Sequence, residues 1–479
     1  MIRTLQQFAV AGHGRLQGQD RSFNEIAIDS RRLSAGDLFA ALRGEHADGH
    51  EFVAAAAAAG AAGAIVSRTV QLPLPQIVVS NVEMALADAA RAARAQFKGP
   101  VIGVAGSNGK TTVKEMIAAI LSQRGPCLST RGNLNNHLGV PMTLLRLDES
   151  HVSAVIEMGA NRRGDVEQLV QIARPGIGLI TNAGAEHLEG FGSLEGAARA
   201  EGEMVAGLPA AGTAVINADD GYASLWRAGT AARVVSFGLK SEADFHAAAL
   251  HFEVDARDFA TRFRLHSPLG QVQVTLALAG RHNVRNALAA AAAATSAGAT
   301  LADVAAGLAS MRAVKGRLQL RRTRAGAWLI DDSYNANPSS ARAGLEVLSE
   351  LSGRRWLVLG DMAELGEFAD SSHRELGELA RALGVERLYA FGALAGLAAD
   401  SFGAGAERYR ELGELTRALD AAITPDVRLL VKGSRLNRLE RLVEALAPGT
   451  TTTQPAGIPA GTLAAATAPA PTAPAPTAS

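Results

Sequence analysis

The chain carries one cysteine, Cys127, in 479 residues. That excludes an intrachain disulfide and fits a reducing compartment. Surplus charge is missing too, since Lys+Arg and Asp+Glu are both 47. Nucleic-acid binders and polybasic membrane binders usually carry excess base, so neither partner is expected. Long apolar runs are absent. The most apolar stretch, FVAAAAAAGAAGAIV at 52–66, is shorter than the ~18 residues a bilayer-spanning helix needs, and it reads as a packed helix entering a strand. The first residues, MIRTLQQFAV, show neither the hydrophobic stretch nor the cleavage site of a secretory signal. The expectation is a cytoplasmic protein without membrane insertion. No solenoid-type repeat is visible. Lysine is scarce, at six of the 47 basic residues, which gives weight to a lysine standing inside a motif.

What is present is ample for a core. Hydrophobic residues make up 48% and charged residues 20%, and at ~150 residues per domain the length suggests about three domains. The expected fold class is α/β. Residues 1–98 mix short strands with an Ala-rich helix. Over 99–313, the runs VIGVA (101–105), VSAVIE (152–157), IGLIT (177–181) and AVIN (214–217) predict a mostly parallel sheet wrapped by helices. Between 245 and 280, FEVDA, TRFRL and QVQVTLAL alternate, and SPLG separates two of them. That predicts an antiparallel addition. Over 314–449, WLIDD, RWLVLGD, RLYAF and VRLLV predict a second, smaller, Rossmann-like unit. Residues 450–479, rich in Ala, Pro and Thr, predict a disordered tail dispensable for chemistry.

Chemistry concentrates in GVAGSNGKTT, 103–112. The general phosphate-loop pattern has a glycine five positions before Gly-Lys; here that position is Val104. The other demands of a phosphate site are met. Glycines let backbone N–H groups approach an anion, and a helix N-terminus follows. Lys110 is placed to neutralise phosphates, and the Thr111 hydroxyl to ligate Mg²⁺. The following helix shows one apolar face, Val113, Met116, Ile117, Ile120 and Leu121. Glu157 closes a strand and His187 follows another, which places both near the crevice where α/β sheets bind ligands. Oxygen is the usual Mg²⁺ ligand, so His187 is the less ordinary candidate. Three Asn-rich segments, TRGNLNNHLGVP (130–141), GRHNVRNALAA (280–290) and DDSYNANPSS (331–340), point to a polar groove. Turn chemistry is the plainer alternative for each.

Together these strings resemble the Mur ligases, the ATP-dependent amide-forming enzymes of peptidoglycan precursor synthesis. The resemblance rests on DSRRLSAGDLFAALRGEHADGHEF, GVAGSNGKTTVKEM, GNLNNHLGVPMTLL, EMGANRRGD, TNAGAEHLEGFGS, AGRHNVRNAL, KGRLQL, IDDSYNANPSS, LGDMAELGE and VKGSR, and covers about 25–446. The family's loop has the same short form, so Val104 is no defect. By position, the resemblance implies that Gly106, Ser107, Asn108, Gly109, Lys110, Thr111 and Thr112 hold the ATP phosphates. Glu157 and His187 would bind Mg²⁺. His282, Asn283 and Asn286 would lie in the nucleotide-binding helix, and Arg317 would reach the terminal phosphate. Asp332, Tyr334 and Asn335 would contact the nucleotide from the third domain. Asp29, Ser30 and Arg31 belong to an N-terminal domain holding the UDP group, while Asn135 and Asn136 would face the UDP-muramoyl substrate.

The activity implied is acyl-phosphate ligation of D-Ala-D-Ala to UDP-MurNAc-tripeptide by a monomer. The DNPR string usual in the diaminopimelate-adding members is absent. Folylpolyglutamate synthetases lack the N-terminal DSR…GDLF block, and a phosphate-loop switch ATPase would not need it. One departure stands out. The family commonly has a carbamylated lysine in a stretch resembling ARAKGE, whereas this chain reads ARAEGE, with Glu201 at that position. No lysine occurs between Lys114 and Lys240. Glu201 is therefore either a metal-holding substitute for the carbamate or a helix-surface charge.

Overall fold

A computed structural model describes residues 1–44, 47–184, 188–240, 242–254 and 258–448. The expected tail, His187 and the end of FEVDA lie outside these. The N-terminal unit is a five-stranded sheet ordered Arg15–Gln17, Gln76–Val78, Gly63–Val66, Leu38–Ala40, Ile26–Ala27, with only the first pairing antiparallel. The Ala run forms the helix Val53–Ala58 and leads into Gly63–Val66.

The central sheet has six parallel strands, ordered Arg233–Phe237, Thr213–Asn217, Ile177–Ile180, Val101–Ala105, Ser153–Glu157, Cys127–Ser129. Its four inner strands are buried throughout, which is why they read as continuous apolar runs rather than alternating ones. After Val101–Ala105 the chain first builds one side of the sheet and then crosses to the other. The glycine loop thus sits at a topological switch point, where such sheets open a ligand crevice. The helix Lys110–Leu121 buries Val113, Met116, Ile117, Ile120 and Leu121. At roughly 1.5–3 kcal/mol for each large apolar side chain, that face fixes the loop to the sheet. The Ala-rich helix Arg281–Ser296 packs beside it, with Ala287 and Ala289 through Ala294 buried.

His246–Val254, Phe259–Ser267 and Gly270–Leu276 form the antiparallel addition. The sheet of the third domain is ordered Gln319–Arg322, Trp328–Asp332, Val427–Lys432, Arg354–Gly360, Arg387–Phe391, Ala406–Tyr409, and only its first strand is antiparallel. Among the described residues, no helix is long and apolar enough to cross a membrane.

Candidate active site

The glycine loop works through its backbone. Gly106 has φ +121°, and a Cβ there would stand 2.1 Å from Thr181 Oγ1. Gly109, with φ +85°, begins the helix Lys110–Leu121, and a Cβ there would come within 2.7 Å of Asn286 Oδ1. Both positions demand glycine on conformational and steric grounds. Lys110 Nζ donates to the carbonyls of Gly106 and Ser107, the latter at 2.9 Å. The ammonium is thereby held over the loop, where an anion would lie.

Glu157 ends its strand almost fully buried, at 2% exposure. Its Oε1 accepts from Asn135 Nδ2 at 2.8 Å and from the Thr111 hydroxyl at 3.3 Å. Oε2 is buried with no hydrogen-bond partner among the described residues. An orphaned carboxylate oxygen beside a threonine hydroxyl fits a hard divalent cation, for which such an oxygen is a natural ligand. No group of three or more His, Cys, Asp or Glu that could hold a metal occurs among the described residues.

Glu201 is no surface charge. It lies at 2% exposure on the helix Leu194–Ala206, and its Oε2 accepts the Gly106 N–H at 2.6 Å. The surface reading fails because ARAEGE turns Glu201 inward, on the same face as Ala197, Ala198, Met204 and Val205.

The third domain closes the other wall of a cleft of about 540 Å³. Arg317 Nη2 donates to Thr111 Oγ1 at 3.2 Å, and its guanidinium lies 4.5 Å from the centre of the Tyr334 ring. Asp332 pairs with Lys432 Nζ at 2.7 Å, and the same ammonium donates to the Asn335 carbonyl at 2.8 Å. His282 is half-buried nearby. Desolvation pushes its pKa down to about 4, against the pull of the Asp332 charge, so it is neutral at pH 7. Asn283 and Asn286 are buried in the first turns of their helix and bonded to each other at 3.2 Å.

The cleft thus gathers every expected residue from Ser107 to Thr112, with Asn135, Asn136, Glu157, His282, Asn283, Asn286, Arg317, Asp332, Tyr334 and Asn335. Gly106 and Glu201 stand behind the loop rather than in the cleft wall. Asp29, Ser30 and Arg31 are not brought to it. There Asp29 caps the short turn Ser30–Arg32, and its bonds to Arg31 hold its pKa at about 2. Asn136 accepts from the Leu138 and Gly139 N–H groups, so it performs turn chemistry as well.

Sequence reasoning missed Lys432, Asn182, Asp219 and Asp220, all of which line the cleft. A signal for the two aspartates existed. ADD follows AVIN, just past the carboxyl end of a parallel strand. Lys432 was visible only as a rare lysine in VKGSR.

The family described as Mur ligase middle domain matches residues 104–294. Mur ligase family, catalytic domain, matches 22–102, and Mur ligase, glutamate ligase domain, matches 316–435. UDP-N-acetylmuramoyl-tripeptide–D-alanyl-D-alanine ligase of Escherichia coli is 43% identical over 447 residues, spanning 92% of this chain and 98% of that protein. The protein so named in Haemophilus influenzae is 38% identical, spanning 77% and 80%. Among solved structures, MurF from Acinetobacter baumannii superposes with a TM-score of 0.85 at 36% identity, covering 91% of this chain and 97% of that one. MurF ligase from Thermotoga maritima in complex with ADP gives 0.76 at 27% identity, covering 88% and 96%.

Proposed function

The chain belongs to the Mur ligase family, and on that premise we propose that it joins D-Ala-D-Ala to UDP-MurNAc-tripeptide with ATP. The products are UDP-MurNAc-pentapeptide, ADP and phosphate. The carrying observation is the cleft itself, which sets the glycine loop, the orphaned Glu157 oxygen, Arg317 and Asp332 around one space.

A free carboxylate is a poor acyl donor, because its leaving group would be oxide. Phosphoryl transfer from ATP turns the terminal carboxylate of the tripeptide into an acyl phosphate. Lys110 and Arg317 offset the charge on the transferred group. Bound Mg²⁺ would add Lewis-acid stabilisation of that charge, and we assign it to Thr111, Glu157 and His187; Glu201, behind the loop on the Gly106 N–H, would hold a second Mg²⁺ through a water. The amine of D-Ala-D-Ala attacks the acyl carbon, and phosphate leaves from the tetrahedral intermediate. No dedicated base is assigned; positioning and electrostatics do most of the work. His282, Asn283, Asn286, Asp332, Tyr334 and Asn335 would hold the nucleotide. Asp29, Ser30, Arg31, Asn135 and Asn136 would hold the UDP-muramoyl peptide. The same reading takes the chain as a cytoplasmic monomer.

The test offers UDP-MurNAc-tripeptide, ATP and several amines, with products read by mass spectrometry. D-Ala-D-Ala should be added, and phosphate should appear only with both substrates. Failure to add it, or phosphate release without an acceptor, overturns the reading.

A further inference from the structure

Asn108 sits in the middle of the glycine loop, yet its polar groups are turned toward the protein. Its N–H donates to Asn182 Oδ1 at 3.0 Å, and its carbonyl accepts from Asn182 Nδ2 at 2.8 Å. Asn182 follows the central strand Ile177–Ile180. The Asn108 side chain reaches the other way, into the third domain. Its Nδ2 donates to Ser339 Oγ at 2.9 Å, and its Oδ1 accepts from Asn337 Nδ2 at 2.8 Å. Asn337 caps the helix Pro338–Ser349, and Ser339 lies in that helix's first turn. Both ends of one carboxamide are therefore bonded across a domain boundary, 229 and 231 residues away in sequence.

We propose that Asn108 is a positioning residue that latches the third domain onto the phosphate loop, so that loop conformation and domain docking form one equilibrium. An amide with both its donor and its acceptor engaged fixes orientation as well as distance. The latch acts on the wall that carries Asp332 and Tyr334, because DDSYNANPSS runs without a break from those residues to Asn337 and Ser339. It thereby couples ATP-loop geometry to closure of the reaction space. The turnover readout below rests on the ligase reading; the distance readout does not.

The experiment compares wild type, Asn108→Ala, Ser339→Ala, Asn337→Ala and the Asn108→Ala/Ser339→Ala double variant as full-length chains. Labels go on cysteines placed at the exposed positions Gln123 and Arg417, in a Cys127→Ser background. The distance between them is measured free and with ADP and Mg²⁺. ADP affinity and kcat are measured in parallel. Asn108→Ala should lengthen or broaden the distance and lower kcat roughly tenfold or more, as expected for two lost hydrogen bonds. ADP affinity should fall less than kcat does, because both ends of the amide are already engaged by Ser339 and Asn337. Ser339→Ala should act in the same direction, and the double variant should be no worse than Asn108→Ala alone. Should Asn108→Ala fail to fold, Ser339→Ala and Asn337→Ala test the latch from the other side. An unchanged distance, multiplying effects, or ADP affinity lost in step with kcat would overturn the latch. Absence of turnover in wild type would instead count against the ligase reading, with the distances still deciding the latch.

Discussion

In both six-stranded sheets the site residues lie just past the carboxyl ends of parallel strands. The glycine loop follows Val101–Ala105, while Asp332 ends Trp328–Asp332 and leads into Tyr334 and Asn335. The central domain makes its half of the site from a tightly packed backbone loop, to which Lys110, Thr111 and Glu157 add side chains. The loop packs so tightly that side-chain atoms of Thr181 and Asn286 fill the space where Cβ atoms would stand. The third domain makes its half from side chains: the Asp332–Lys432 pair, Tyr334 and the Arg317 guanidinium. The loop glycines should fail when an atom is added, and the side chains of either half when a group is removed.

The largest effect should come from the central half. Lys110→Ala should lower kcat by at least the ~10²–10³-fold that loss of one preorganised donor costs. Gly106→Ala should match it, because a Cβ 2.1 Å from Thr181 Oγ1 at φ +121° forces the loop to move. Steady-state kinetics check both, and a Gly106→Ala enzyme of normal activity would break the comparison. In the third domain, Lys432→Met leaves the Asp332 carboxylate buried without its partner. It should cost about 3–5 kcal/mol of stability in denaturant unfolding, with ATP affinity weakened and Lys432→Arg a partial rescue.

A smaller effect concerns pH. His282 has its folded pKa lowered to about 4 from the ordinary 6.5, so between those values the unfolded chain binds a proton that the folded chain refuses. Its contribution to stability is present above pH 6.5 and is lost as pH falls toward 4. His282→Gln should flatten the pH dependence of unfolding by up to about one proton in that window. The smallest effect belongs to the N-terminal motif, which does not line the cleft. Asp29→Asn should raise KM for the UDP-muramoyl peptide while leaving ATP affinity and the unfolding midpoint unchanged; a shift in ATP affinity would tie that motif to the cleft.

Legibility in the sequence followed the distance between partners. The glycine loop and the helix behind it were readable because Gly109, Lys110 and the apolar face from Val113 to Leu121 are close neighbours in sequence. The strands were readable because burial on both faces writes itself as apolar runs. Glu201 was ambiguous, because a charged residue in a helix shows its burial only once the packing partner of that face is known. Lys432 carries no local sign of its role, since its partner Asp332 lies on another strand of the third domain's sheet. Asn108 reads as a phosphate-loop residue like its neighbours, and nothing near it in sequence points to Asn337 or Ser339.

By itself the sequence determined the α/β class, the three sheet-forming segments, the antiparallel addition and the phosphate loop, all properties of local periodicity and short-range spacing. Tertiary structure alone decided which carboxylate oxygen is left orphaned, which lysine neutralises Asp332, and where the two ends of the Asn108 amide go. These depend on through-space pairing between segments, and burial sets their strength, since a polar group removed from water must find its partner wherever the fold has brought one.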